Sequence, residues 1–487
     1  MNIKHYLLLI FTVFGVLFGT TVLVRLQSPV VEKKSPALSR MPKPKAHVDH
    51  SKFFTESFKD GPSVTKSCLK CHEKEAKDFM KTQHWRWEGD PVHVPGHKGT
   101  FEIGKKNLIN NFCISVQTNW PKCTSCHAGY GWKDQSFDFK DPTHIDCLVC
   151  HDQSGQYIKG FAGDPAKGVD LLASAKSVGR PSRTNCGICH FNGGGGDAVK
   201  HGDLDQTMYF PTKDIDVHMG GRDFQCVDCH RTEKHEIHGR SPSVSVNDQE
   251  GISCTDCHDQ APHTNERLNA HVETIACQTC HIPEFAVREP TKMYWDWSQA
   301  GQDLPIKDKH VYMKIKGRFK YARKVVPEYR WYNGTANRYL KGDKIDPKAV
   351  TELNPPRGDI HDPTAKIWPF KVHRGKQVYD SKNNILLIPK TVGKGGYWTE
   401  FNWDKALRLA EPTTGLPYSG SYGWAKTAMY WPLSHMVAPK ARALQCADCH
   451  AEGGRMNWKA LGYGDDPSRR GGRKQNGLLQ STPKEER

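Results

Sequence analysis

A chain of 487 residues is long enough for two or three ordinary domains, but only 37% of it is hydrophobic, which is low for a globular chain of that size. Its formal charge of +16 would by itself suggest nucleic acid or anionic lipid as a partner. It carries seventeen cysteines, and a chain this long does not need that many disulfide staples.

Tyr6 to Val24 is an uncharged run between Lys4 and Arg25, of a length suited to a membrane-spanning helix. A cleaved signal peptide is the alternative, although no small-x-small cleavage signal stands near its end. Residues 1–25 are therefore expected to be a transmembrane anchor or signal, and the body is expected to be exported. Residues 26–50 carry Pro29, Pro36, Pro42 and Pro44 among lysines and read as a semi-rigid tether.

The body is dominated by Cys-x-x-Cys-His, which occurs eight times. The motifs are Cys68/Cys71/His72, Cys123/Cys126/His127, Cys147/Cys150/His151, Cys186/Cys189/His190, Cys226/Cys229/His230, Cys254/Cys257/His258, Cys277/Cys280/His281 and Cys446/Cys449/His450. Two cysteines three apart put two sulfurs on one side of a tight turn, where they form thioethers with the vinyl groups of one haem. The adjacent histidine is then the proximal iron ligand. Zinc also binds paired Cys-x-x-Cys elements, but it does not require a histidine after every second cysteine. The pattern therefore predicts eight covalently bound haem c groups.

Haem attachment takes place outside the cytoplasm, which agrees with export to the periplasmic side of a bacterial inner membrane. It also changes the charge argument. Eight haems bring roughly sixteen propionate charges, partly offset by ferric iron, so no nucleic-acid partner is inferred. The basic surplus is left to steer small anions.

Residues 51–281 hold seven motifs. The stretch after His72 lacks Gly and Pro, reads as a helix and leads to His84. His218, His271 and His435 each stand six to eleven residues ahead of a motif, placed to reach over to a neighbouring haem. His144 is a closer version, His235 and His238 are three apart, and His201 follows the run Gly193 to Gly196. These seven and His84 are the candidate distal ligands, and any one of them has surface decoration as its alternative. Residues 282–463 carry the eighth motif and are rich in Trp and Tyr, as in Tyr294-Trp-Asp-Trp297 and Tyr430-Trp431. Packing is the plain reading of that richness; a lid or docking surface is the other. Residues 464–487 are Gly-, Arg- and Lys-rich and read as a disordered tail. The expected fold is mainly α, a loop-rich multihaem cytochrome c with an N-terminal membrane helix.

Cys113 is the cysteine outside every motif. The Phe-Cys113 element, Cys-Thr-Ser-Cys-His-Ala-Gly-Tyr-Gly-Trp132 and Asp164-Pro-Ala-Lys167, together with eight motifs all ending in His, resemble the octahaem tetrathionate reductase family of c-type cytochromes. The resemblance runs from about Cys68 to His450. The opening motif is also similar to that of multihaem cytochromes related to hydroxylamine oxidoreductases, in which a histidine at the place of His84 is an axial ligand.

In the tetrathionate reductase family the second haem is catalytic and carries a distal lysine with a cysteine and an aspartate nearby. The resemblance thus implies Lys167 as ligand and Cys113 and Asp164 as pocket residues. Without the family, Asp164-Pro-Ala-Lys167 is a plain helix start, with Asp as cap and Pro in the first turn. Two functions follow. One is an oxidoreductase acting on a small anion (tetrathionate first, nitrite or hydroxylamine next), fed by a quinol-linked or periplasmic donor. The other is a membrane-anchored electron conduit with every iron closed.

Overall fold

The computed structural model describes residues 40, 47–113, 115–239, 241–247 and 251–479. The expected span Tyr6–Val24 and nearly all of the tether lie outside the described residues. Among the described residues, no helix is long and apolar enough to cross a membrane.

The first half is built largely of short helical turns, and seven of the eight motifs sit on such turns. The first motif lies within α1, Gly61–Phe79, the longest helix among the described residues. Asp60 caps it by accepting from the Ser63 amide at 2.9 Å, Ser63 Oγ faces the Asp60 amide in return, and Pro62 occupies the first turn. The helix breaks its regular dihedrals at His72, where φ is −116° and ψ is 35°.

Three later motifs carry Asp before their second cysteine, and each uses it as a cap. Asp228, Asp256 and Asp448 accept from the amides of Gln225, Ser253 and Gln445 at 2.7, 3.0 and 2.7 Å. Each satisfies an amide that the short turn cannot pair. A few residues of sequence thus fix the turn that aims two sulfurs and one imidazole.

The second half is built around a sheet, with the helix Trp403–Thr414 beside it, and the expectation of a mainly α chain fails there. Residues 291–432 form an eight-stranded sheet. Its strands are β1 (Thr291–Asp296), β2 (Tyr312–Met313), β3 (Gly317–Ala322), β4 (Glu328–Tyr332), β5 (Val350–Glu352), β6 (Lys366–Asp380), β7 (Ile385–Leu386) and β8 (Tyr422–Pro432). The order is β2-β3-β1-β6-β8-β5, with β4 and β7 also paired to β6. β6 lies parallel to β1, with Gly375 opposite Trp295, and antiparallel to β8 from Phe370–Pro432 to Asp380–Tyr422.

The Trp and Tyr clusters of this half are its core. Trp295, Trp297, Phe319, Tyr397, Trp403 and Trp431 are buried together, and Cys113 and Cys123 pack against them. The sheet core therefore abuts the second motif. β6 is buried on both faces: Phe370 and Val372 enter a hydrophobic cluster, while Lys371 and His373, equally buried, point the other way.

Residues 464–479 are packed rather than disordered. Arg473 is 3% exposed. Its guanidinium donates to the carbonyls of Asp362, Ala365 and Glu273 at 2.8, 3.0 and 3.1 Å, and lies over the Trp331 ring. These partners are backbone groups, so the basic composition of the segment did not reveal them. Arg473→Ala removes three charge-assisted bonds and is expected to destabilise the holoprotein by roughly 2 kcal/mol or more, read as a lowered thermal unfolding midpoint at constant haem content.

Candidate functional site

The helical turns surround one continuous cavity of about 2690 Å³. At one end it is lined by His84, Cys113, Cys123 and Cys126, and at the other by Cys446, Cys449 and His450. Pairs of motifs meet through their sulfurs, within the cavity wall or, for the first and third motifs, beside it. Cys68 hydrogen-bonds Cys147, Cys126 bonds Cys189, Cys186 bonds Cys226 and Cys254 bonds Cys277. The fourth motif thus touches the second and the fifth. The charge of Cys150 also acts on Cys186, which places the third motif beside the fourth.

The motif cysteines are not equivalent, as the repeated pattern had suggested. Cys71, Cys229 and Cys446 are exposed. Cys229 and Cys446 still line the cavity, but Cys71 does not, and neither does its partner Cys68. The physical reason lies in α1. Val64 and Cys68 pack into a hydrophobic cluster with Leu148 and Val149, and that packing stops short of Cys71, one turn further on. The helix then breaks at His72, which is exposed as well. Cys71 therefore belongs to a surface attachment site, apart from the enclosed row that the other motifs share.

Whether these residues fit haem is tested by the imidazoles. Metal–nitrogen bonds of about 2 Å on each side, plus slightly over about 1 Å from each nitrogen to its ring centre, put two imidazoles that share a metal roughly 6 to 6.5 Å apart, centre to centre. Seven motif histidines have a second histidine at that spacing. The pairs are His72–His50 at 6.0 Å, His151–His235 at 6.5 Å, His190–His84 at 6.2 Å, His230–His435 at 6.2 Å, His258–His218 at 6.1 Å, His281–His263 at 6.2 Å and His450–His271 at 6.3 Å. The exposed first motif, with Cys71, keeps this spacing too.

Nδ1 is engaged in several of these rings, which leaves Nε2 for a metal. His151, His230 and His271 donate from Nδ1 to the carbonyls of Gly179, His238 and Arg267 at 2.9, 2.9 and 2.7 Å. His450 faces Asp466 at 2.6 Å and His435 faces Asp203 at 3.2 Å. The residues fit seven irons, each held between two histidines.

His127 of the second motif is the exception. It is 0% exposed, and its ring contacts among the described residues are Trp85, Trp87, Trp132, Phe137 and Phe139, with no histidine. Its Nε2 lies 2.7 Å from the Trp85 carbonyl, its Nδ1 has no partner among the described residues, and burial pushes its pKa down to about 3.

The lysine named by the resemblance is not at this site. Lys167 is exposed on a turn and does not line the cavity, and neither does Asp164. Asp164 closes a tight turn instead, its carbonyl accepting from the Gly160 amide at 2.7 Å. Four other lysines line this end of the cavity. Lys105 and Lys122 are exposed. Lys159 is paired with Asp146, which also accepts from the hydroxyls of Tyr130 and Tyr157 at 2.8 Å each.

Lys200 is the fourth. It is half-buried, its Nζ stands 5.2 Å from the Trp431 ring centre, and the charge of Cys126 acts on it. Burial pushes its pKa down to about 8, toward the neutral amine that a metal requires. Asp197-Ala-Val-Lys200 has the same spacing as Asp164-Pro-Ala-Lys167, and of the two lysines it is Lys200 that lines the cavity. Burial raises the Asp197 carboxyl above its ordinary range, and its Oδ1 accepts from the Gln206 amide at 2.7 Å. Cys113 does line the cavity, its amide bonded to Asn110 Oδ1 at 2.9 Å.

Of the expected distal histidines, His84, His218, His235, His271 and His435 are paired as above. The last three of the upstream type (His218, His271, His435) each face a motif other than the one they precede. His144, His201 and His238 have no such partner. His144 donates to the Tyr130 carbonyl at 2.8 Å, His201 packs on Trp431 with centroids 5.0 Å apart, and His238 offers its carbonyl to His230. His50 and His263 take their places. The sequence pattern sought histidines six to eleven residues ahead of a motif, and both of these lie farther ahead than that.

Comparison with known proteins agrees with this geometry. Residues 292–453 match a family model described as cytochrome c bacterial, and residues 212–282 match one described as cytochrome c7 and related cytochrome c. The chain is 52% identical to the crystal structure of an octahaem cytochrome c from Shewanella oneidensis, covering 87% of this chain and 98% of that one with a TM-score of 0.82. It belongs to the octahaem c-type cytochromes. An uncharacterised protein of Archaeoglobus fulgidus is 25% identical over 44% of the cytochrome and 88% of its own length. The cytochrome c-type protein NrfB of Escherichia coli O6:H1 is 30% identical over 15% of the chain and 44% of its own length.

His263→Ala is expected to open one axial position and to add a high-spin ferric haem signal in electron paramagnetic resonance. His144→Ala and His238→Ala are expected to leave the low-spin signals as they are.

Proposed function

We propose that this cytochrome is a reductase of a small sulfur or nitrogen oxyanion, tetrathionate first and nitrite or hydroxylamine next, with Lys200 and Cys113 working at the second haem. One observation carries this reading: of the eight motif histidines, His127 alone stands without a partner histidine among the described residues, and a half-buried lysine, Lys200, lines the cavity beside its motif. In a pure electron conduit every iron would be closed by histidine. The NrfB likeness covers too little of either chain to choose the substrate.

Bound haem supplies single electrons at this position. The chain supplies the remaining chemistry. Lys200 caps the site as the neutral amine. Protonated, it withdraws and leaves a cation that attracts an anion and donates a proton. Lys105 and Lys122 add positive charge to the same end of the cavity.

Cys113 provides a thiolate for sulfur–sulfur exchange. Its attack on an inner sulfur of tetrathionate breaks the central bond, expels one thiosulfate and leaves a Cys113–S–SO₃⁻ persulfide adduct. Two electrons then cleave that adduct, which releases the second thiosulfate and restores the thiolate. Residues 1–25 as the anchor and a quinol-linked or periplasmic donor complete the proposal.

The test is oxidation of a reduced viologen by the holoprotein with tetrathionate, nitrite and hydroxylamine offered in turn. Turnover is expected to fall by about a hundredfold in Lys200→Ala and to be unchanged in Lys167→Ala. Cys113→Ser is expected to lose tetrathionate turnover and to keep any nitrite or hydroxylamine turnover. No turnover with any of the three from fully haem-loaded protein would leave the conduit as the reading.

A further inference from the structure

Below the second haem's end of the cavity, the sheet carries buried basic side chains that neither bind haem nor face solvent. Lys371 on β6 is fully buried. Its Nζ donates to the carbonyls of Val199 and Lys200, each at 3.1 Å, and to Thr291 Oγ1 at 2.6 Å. An ammonium has three N–H donors, and here all three are used. Thr291 on β1 is also fully buried. Its hydroxyl donates to the Ala198 carbonyl at 2.6 Å and lies 3.1 Å from the His201 carbonyl. The carbonyls of four consecutive residues, 198 to 201, are thus gripped by two side chains of the sheet.

The gripped segment needs such an anchor. It follows four glycines, of which Gly194 and Gly195 have φ of +87° and +90°, and Ala198 has φ of +54°. Glycines order poorly by themselves, and an alanine at positive φ is strained. The opposite arm of the site is tied to the same strands. Lys292 on β1 donates to the Phe112 carbonyl at 2.9 Å, Asn111 to the His373 carbonyl at 2.9 Å, and Gln377 to the Asn110 carbonyl at 2.8 Å. Burying an amine is costly and depresses its pKa, as burial does at Lys371 and Lys292. An apolar side chain would fill that space at lower cost, but it could not hold carbonyls.

We propose that Lys371, seated by Thr291, is a positioning residue that sets the backbone of Val199 and Lys200 so that the Lys200 amine stands at the second haem. This rests on Lys200 as the distal group of that haem. Lys371 touches neither substrate nor iron; it acts through the loop it holds.

The experiment compares Lys371→Met, Thr291→Val and Lys200→Ala holoproteins with the parent by haem content, electron paramagnetic resonance and viologen-linked tetrathionate turnover. In Lys200→Ala the second haem is expected to become high-spin. In Lys371→Met it is expected to become high-spin in large part, with turnover down by about a hundredfold, and with the seven bis-histidine signals and the haem content unchanged. Thr291→Val, which keeps the side-chain shape, is expected to shift the same signal to a smaller extent, and it decides the matter if Lys371→Met fails to load haem. A normal low-spin second haem in Lys371→Met and Thr291→Val, beside a converted one in Lys200→Ala, overturns the positioning role alone. An unaltered spectrum in Lys200→Ala overturns the ligand assignment and the positioning role with it.

Discussion

A cavity of about 2690 Å³ running through a protein, with walls that include Val227, Ile275, Trp431 and Val437, cannot be kept open by the polypeptide. Protein interiors are close-packed, and large apolar voids forfeit contacts on every wall. The low apolar content of the chain fits this arrangement, since the apolar mass of the interior comes from covalently bound haem. The motif turns are short and would be marginal as isolated helices. They are held by caps such as Asp228, Asp256 and Asp448 and by what their cysteines and histidines bind. Folding and cofactor attachment are therefore one problem in this protein.

The histidine pairs add a second constraint, because they join distant stretches of sequence. His271, just ahead of the seventh motif, faces His450 of the eighth, and His435, just ahead of the eighth, faces His230 of the fifth. Each pair bridged by iron closes a long loop, and closing long loops removes entropy from the unfolded chain as a cross-link does. His218–His258 and His84–His190 do the same over shorter distances. The chain is stapled to itself through its cofactors, which is why loops with so little regular structure hold position.

What was legible in the sequence was the chemistry with a fixed local spacing. Cys-x-x-Cys-His needs only one turn of backbone, so all eight sites could be read directly, and histidines close to a motif were good guesses for a neighbouring iron. What was not legible depends on burial. The spacing of Cys68 and Cys71 is that of every other motif, and nothing in it tells that Cys71 faces solvent outside the shared cavity. Asp164-Pro-Ala-Lys167 and Asp197-Ala-Val-Lys200 are equivalent as strings. Only the sheet distinguishes them, because Lys371 and Thr291 reach the second copy and leave the first on the surface. His50 and His263 escaped for a related reason: their partners are set by how the chain crosses in space. The sheet was missed because β6 is buried on both faces and lacks the simple alternation of a one-sided strand, and its polar buried members, Lys371 and His373, resemble surface residues in a sequence.

The same buried cations shape the chemistry at the second motif. Lys292 and Lys371 are removed from water and Lys200 is half-buried, and burial lowers the pKa of each. Lys292 and Lys371 use their donors on backbone carbonyls, so their charge is spread into the two arms that carry Cys113 and Lys200. A site bounded by such groups favours a negative guest. Its motif also touches the fourth, which in turn adjoins the third and the fifth. The second motif thus ends one branch of a forked row of attachment sites.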